Sequence, residues 1–317
     1  MTLVIAHQYG ERLAASVAAE LPQGVRFDAL EPTPHTAWQV PPEADVLLVS
    51  QDSAAVGLHP GMPEPAGWPF NLRWVHLRST GIDKYPAWVF AVPKVTVSRG
   101  TSAVPISEYV LAAMLSVAKR IPEIWTDARS VWRHHKLGEL HGSTLGIIGF
   151  GEIGRAVAER ALPFGMTVLA TRRSPGPSGM DGVEIVSLPD LLGRADHIAL
   201  CAPLTPQTRG MLDADAFAAL KPGAHLINIG RGAVIDTDAL RAALDGPLAC
   251  ATLDVTDPEP PPEGHWLYTH PRVRLSPHIS GSSPESNRRT TAFFIANLER
   301  FMRGQDLEGV VDPSERY

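Results

Sequence analysis

Between Gly142 and Ser174 the sequence reads GSTLGIIGFGEIGRAVAERALPFGMTVLATRRS, and this stretch limits the fold more than any other. Leu145-Gly146-Ile147-Ile148 is a short apolar run suited to a strand buried on both faces. Gly149, Gly151 and Gly154 follow as G-x-G-x-x-G. Ile153, Val157, Ala158 and Ala161 then recur at helical spacing, Pro163-Phe164-Gly165 stops the helix, and Met166–Ala170 forms the next strand. The stretch therefore predicts strand, tight turn, helix, strand.

The glycines have separate uses in such a unit. The first permits the tight turn, the second lets backbone approach a pyrophosphate, and the third lets helix and strand pack closely. Backbone N–H groups and the dipole at the helix N-terminus then hold the pyrophosphate. A dinucleotide site is expected from the motif in this context. At the end of the second strand, where an acid usually binds the adenosine ribose, stands Thr171-Arg172-Arg173-Ser174, with no acid before Asp181. A guanidinium binds a 2′-phosphate through paired charge-assisted hydrogen bonds, whereas a carboxylate repels it. Arg172 and Arg173 thus predict NADP(H) in preference to NAD(H).

Strand–helix alternation extends along the chain. Strands are expected at Thr2–Ala6, Asp45–Ser50 and Trp74–Leu77, with a helix from Glu11 to Leu21. A strong helix is predicted from Ser102 to Arg120. The amphipathic stretch Trp125–Leu140 is read as a helix carrying His134 and His135 on its surface. After the glycine unit, strands are predicted at 183–186, 197–201, 225–229, 249–255 and 273–276. Helices are predicted at 189–194 (capped by Ser187), 213–220, 236–244 (capped by Thr237) and 283–302. The expected fold class is α/β: a Rossmann-type doubly wound parallel sheet over 100–282, inserted in a flavodoxin-like α/β domain made of 1–99 and 283–317. The catalytic cleft is expected between the two domains.

Composition removes other classes. A net charge of −6 over 317 residues gives no basic stripe for nucleic acid. No apolar run approaches a membrane span, and the N-terminus shows no secretory pattern. The two cysteines, Cys201 and Cys250, sit in no ligand-spaced cluster, so neither a disulfide framework nor a metal site is expected, and a cytoplasmic location fits.

Ligands of open α/β sheets bind beyond the carboxyl ends of the strands. Four polar residues fall there: Arg231 after HLINIG, Asp254 in ATLDV, Glu259 in the following loop, and His278 after VRLSP. With LRSTGID, TSAVPISEYVLAAML, CAPLTPQTRGMLD, LINIGRGAVIDTDAL, LDVTDPEP and LSPHISG in order, the chain from about Trp74 to His278 resembles the D-isomer-specific 2-hydroxyacid dehydrogenases, especially the glyoxylate/hydroxypyruvate reductases.

The resemblance implies reduction of a small 2-oxo acid to a D-2-hydroxy acid by hydride transfer. Arg231 would bind the substrate, Glu259 and His278 would form the catalytic pair, and backbone groups of Thr80 and Gly81 would clamp the substrate carboxylate. Cofactor contacts are implied at Gly149, Gly151, Glu152, Ile153, Gly154, Arg172, Arg173, Pro203, Thr208, Ile229, Asp254, Ser280 and Gly281. For Asp254 a helix-capping or loop-bracing role, and for Thr208 a turn-forming role, stand as alternatives. A homodimer is expected. Glu108-Tyr109 departs from the acid-His pair of many members, and little catalytic consequence is expected from it. The competing reading from another class is an NAD(P)-sensing, corepressor-like interaction protein on the same fold.

Overall fold

The computed structural model describes residues 2–31, 33, 36–50, 58–174 and 176–312. Backbone packing divides the chain into two units, one comprising Met1–Thr101 with Pro284–Tyr317 and the other Ser102–Ser283.

The first unit holds β1 (Leu3–His7), α1 (Glu11–Ala18), β2 (Val25–Ala29), β3 (Val46–Val49), β4 (Trp74–Leu77) and β5 (Val95–Val97). The strands are all parallel, in the order β2-β1-β3-β4-β5, which is the flavodoxin-like arrangement. β3 and β4 are buried along their whole length, as strands covered on both faces must be. One face is covered by the helix Pro284–Met302, α7 in chain order. Its Phe294, Leu298 and Phe301 pack with Ile5, Val46, Leu48 and Trp74. The Trp74 and Phe294 rings stack at 5.3 Å. On the other face Trp38, Trp68 and Trp88 meet edge to face at 4.7–6.0 Å, so Trp38 and Trp68 are core anchors. Each large side chain so buried stabilises the unit by about 1.5–3 kcal/mol.

The second unit holds α2 (Ala103–Ala118), β6 (Thr144–Ile148), α3 (Glu152–Ala161), β7 (Thr167–Thr171), β8 (Val183–Ile185), α4 (Leu188–Arg194), β9 (His197–Leu200), α5 (Ala214–Ala218), β10 (Ala224–Asn228), α6 (Thr237–Leu244), β11 (Leu248–Leu253) and β12 (Val273–Leu275). Its seven parallel strands run β12-β11-β10-β9-β6-β7-β8. The order reverses at β6 and β9, which makes their carboxyl ends the switch point where ligands of such sheets bind.

Ser187 caps α4 as its position predicts, accepting a hydrogen bond from Asp190 N at 3.3 Å. For α6 the cap is Asp236 and not Thr237. The Asp236 carboxylate accepts from Asp238 N and Ala239 N at 2.9 and 3.0 Å, a reach open to the residue one position earlier. The helix expected over Trp125–Leu140 is absent: only a 3-10 turn at Arg129–Val131 forms. Leu140 at its end is buried in the core, but the large apolar residues before it are exposed, Trp125 and Trp132 by 71% and 75%. An amphipathic pattern does not hold a helix without a surface to bury its stripe.

Candidate active site

At the switch point the glycine turn closes on β9. Gly149 has φ 98°, and a Cβ there would lie 2.7 Å from Ala202 N. Only glycine fits both the conformation and the approach. A Cβ at Gly154 would meet the Gly149 carbonyl oxygen at 2.5 Å, so α3 packs tightly on the turn. At Gly151 a Cβ would meet nothing within 4 Å, which leaves the start of α3 open. Gly151 caps α3 with no side-chain hydrogen bond, so the first N–H groups of the helix, including those of Glu152 and Ile153, retain their capacity for an anion. The turn is tied to the end of β7, where Gly149 N and Phe150 N both donate to the Thr171 carbonyl.

Arg172 and Arg173 follow directly on β7, both exposed. The Arg172 Nη1 donates to the Pro177 carbonyl at 2.9 Å. A third guanidinium, not singled out by the sequence, lies in the same region. Arg155 on α3 stacks over Phe150 at 4.9 Å and donates to the Ser178 carbonyl at 2.8 Å. The open, uncapped helix start fits the pyrophosphate of a dinucleotide, and the arginines stand at the end of the second strand.

Thr208 spends its hydroxyl on the Pro203 carbonyl at 2.7 Å and receives Thr205 N at 2.8 Å. It therefore closes the Pro203–Thr208 loop as a turn former. Ile229 is buried beneath the carboxyl end of β10, and a Cβ at Gly281 would lie 3.3 Å from the Ser102 Cβ.

The three residues expected to do chemistry come from adjacent strands. Arg231 follows β10, Asp254 directly follows β11 with Glu259 five residues on, and His278 follows β12. Asn228, fully buried, clips the arginine loop: its Nδ2 donates to the Arg231 carbonyl and its Oδ1 accepts Gly230 N, both at 3.0 Å. The next residue, Gly232, lies flat on the neighbouring loop, since a Cβ there would stand 2.0 Å from the Thr256 carbonyl carbon. This contact seats the Arg231 loop on the segment that leads to Glu259.

His278 Nδ1 pairs with Glu259 Oε1 at 2.7 Å, with the two side chains 41% and 30% exposed. Its Nε2 has no protein partner among the described residues. The His278 backbone has φ 54°, in the left-handed region, and its N–H donates to the carbonyls of Asp254 and Ser276. Asp254, 1% exposed, braces this loop. It accepts Ser276 Oγ at 2.5 Å and Ile279 N at 2.9 Å on Oδ1, and Ser280 N at 2.9 Å on Oδ2. Tyr109 on α2 reaches Ser276 Oγ with its hydroxyl at 2.7 Å. Burial raises the Tyr109 pKa above the usual phenol value, against the Ser276 hydrogen bond and with the Asp254 charge.

In the first unit, the Thr80 hydroxyl donates to the Ser98 carbonyl at 3.3 Å and Ser79 Oγ donates to the Gly81 carbonyl at 3.1 Å. The backbone N–H groups of Thr80 and Gly81 have no acceptor among the described residues. Arg78 turns its Nη2 onto Asn287 Oδ1 of α7. Among the described residues, no three His, Cys, Asp or Glu side chains are grouped to hold a metal ion, and no helix is long and apolar enough to cross a membrane.

Residues 111–280 match the family described as D-isomer specific 2-hydroxyacid dehydrogenase, NAD binding domain. The chain belongs to the D-isomer specific 2-hydroxyacid dehydrogenase family. A dehydrogenase of this kind is an oxidoreductase, and the second unit carries the family's nicotinamide-dinucleotide domain. Among relatives, the chain is similar to the glyoxylate reductase/hydroxypyruvate reductase of Homo sapiens, 38% identical over 63% of this chain and 64% of that one. The match thus spans just under two thirds of the human protein's length. It is also similar to glyoxylate/hydroxypyruvate reductase B of Yersinia pestis, 33% identical over 77% of this chain and 78% of the other. Among solved structures, a D-isomer specific 2-hydroxyacid dehydrogenase of Xanthobacter autotrophicus Py2, in complex with NADPH and MES, superposes with a TM-score of 0.81. It is 26% identical, and the superposition covers 100% of both chains.

Proposed function

We propose that this D-isomer specific 2-hydroxyacid dehydrogenase reduces small 2-oxo acids, glyoxylate, hydroxypyruvate or a close analogue, to D-2-hydroxy acids with NADPH. The observation that carries the reading is the Glu259–His278 pair, which leaves Nε2 without a protein partner at the carboxyl end of the sheet. Bound NADPH supplies the hydride. Arg231 presents a fork of donors to the substrate carboxylate and stabilises the charge that develops on the carbonyl oxygen. His278 gives a proton from Nε2 to that oxygen, and in the opposite direction takes it back. Glu259 at Nδ1 fixes the ring orientation and balances the imidazolium charge. Thr80 and Gly81 are assigned to carboxylate binding on the strength of their unpaired N–H groups.

The cofactor contacts assigned are the glycine turn with Glu152 and Ile153, then Pro203, Thr208, Ile229, Asp254, Ser280 and Gly281. Arg172 and Arg173 supply the preference for a 2′-phosphate, and the NADPH bound to the Xanthobacter relative supports it. We assign the exposed 121–140 segment, with Trp125 and Trp132, to a homodimer contact, because a protein surface seldom leaves large apolar groups so exposed without a partner.

Turnover of NADPH and NADH against glyoxylate, hydroxypyruvate, pyruvate and phenylpyruvate tests the proposal. Activity with NADPH on at least one acid is expected, and no turnover with any of them overturns the enzyme reading. His278→Ala should lower kcat by about 100-fold or more while NADPH still binds. A tenfold preference for NADH would refute the role given to the two arginines, whose joint replacement by alanine should raise KM for NADPH about tenfold and leave that for NADH nearly unchanged.

A further inference from the structure

We propose that Tyr109 is a positioning residue for the proton-donating loop, acting on His278 through Ser276 and Asp254. The inference rests on the reading of His278 as the acid. Four residues from three elements form one directed relay. Asp254 follows β11, Ser276 and His278 follow β12, and Tyr109 stands on α2. The direction is set by proton count. Ser276 has one hydroxyl proton and donates it to Asp254 Oδ1 at 2.5 Å. The 2.7 Å contact between Tyr109 and Ser276 must then be a hydrogen bond given by the phenol to Ser276 Oγ. Burial keeps the phenol proton in place, since it raises the Tyr109 pKa.

Asp254 is the point where the relay meets the loop. It collects Ser276 Oγ, Ile279 N and Ser280 N, while its own carbonyl accepts His278 N at 2.9 Å. The donors on the Asp254 carboxylate thus bracket His278 on both sides. That residue needs such a hold, because φ 54° is a conformation a side-chain-bearing residue keeps only where its surroundings fix it. Without the Tyr109 hydroxyl, Ser276 Oγ loses a donor and is held by its bond to Asp254 alone. Asp254 then shares its acceptors with a freer loop, and Nε2 samples more positions. A small misplacement of a proton donor lowers the chemical step more than binding.

Tyr109→Phe removes one oxygen and keeps the ring. In the purified full chain, with NADPH and an acid from the panel above, kcat should fall about tenfold while both KM values stay within about twofold. Ser276→Ala should do the same, and Ser276→Thr, which keeps the hydroxyl, should retain most of the rate. In the Ser276→Ala background Tyr109→Phe should cost nothing more, since both act in one relay. Hydrogen exchange reads the same relay without turnover: the Ile279 and Ser280 amides should exchange about tenfold faster in Tyr109→Phe, with the thermal midpoint unchanged. Unaltered exchange at these amides overturns the inference, as do additive losses in the double variant or a kcat within twofold of the parent. His278→Ala separates the two readings. If it turns over like the parent, the assignment of His278 fails; if it is inactive while Tyr109→Phe is unaffected in rate and exchange, only the role of Tyr109 fails.

Discussion

His278 combines an unfavourable backbone with a well-held side chain, and this combination governs what single substitutions there should do. Its left-handed φ is secured by hydrogen bonds to the carbonyls of Asp254 and Ser276, and its ring by Glu259. Glu259→Gln keeps an acceptor for Nδ1 but removes the charge opposite the imidazolium. It should lower kcat roughly 10- to 100-fold with a smaller change in KM. Steady-state rates at neutral pH check this, and an unchanged kcat would remove Glu259 from the catalytic pair. Arg231, Glu259 and His278 were legible as candidates because Arg231 and His278 closely follow recognisable apolar strands and Glu259 lies in the loop after another, while the role of each came from the family resemblance. Asn228, Gly232, Tyr109 and Ser276 were not, because their meaning arises only when distant segments meet. Tyr109 and Ser276 are 167 residues apart, and no local pattern announces their contact. Asp254 was legible as a candidate, and the loop-bracing alternative describes the hydrogen bonds it makes.

At the scale of elements, strands buried on both faces were the easiest to read, since β3, β4, β9 and β10 are mostly apolar and buried along their whole length. β2 and β5 escaped notice for opposite reasons. VRFDA is an edge strand with mixed exposure, and VTV is too short to set a period. The Trp125–Leu140 stretch shows the reverse error, a helical pattern with no surface to complete it. If two copies of the chain bury Trp125 and Trp132 against each other, replacing both with aspartate should convert a dimer into a monomer. Light scattering coupled to gel filtration measures this. A parent chain that is already monomeric, or a variant that stays dimeric, would rule this segment out as the contact.

For the whole molecule, buried histidines set the acid limit of stability. Burial lowers the pKa of His7, His76, His197 and His225, that of His76 to about 3. His76 is fully buried between the hydroxyls of Thr96 and Ser98, and His197 and His225 share a 3.2 Å Nδ1–Nδ1 contact. The unfolded chain binds protons at these residues below about pH 6.5, and the folded chain binds them only at lower pH. Stability is therefore at its full value above that pH and is lost as pH falls toward the folded values, by up to about 1.4 kcal/mol per histidine per pH unit. The urea midpoint should be level from about pH 8 to 7 and drop between about pH 6.5 and 5; equal midpoints at about pH 7 and 5 would contradict this. The pairing of α7 with the first sheet carries a different consequence, one of timing on the ribosome. Phe294, Leu298 and Phe301 are made some 220 residues after Trp74, and later still after the Ile5 and Leu48 they also cover. At ordinary rates of synthesis the gap is roughly 10–40 s. The first sheet is therefore sealed only after the second unit has been made, and until then its bare apolar face is what a nascent-chain chaperone would meet.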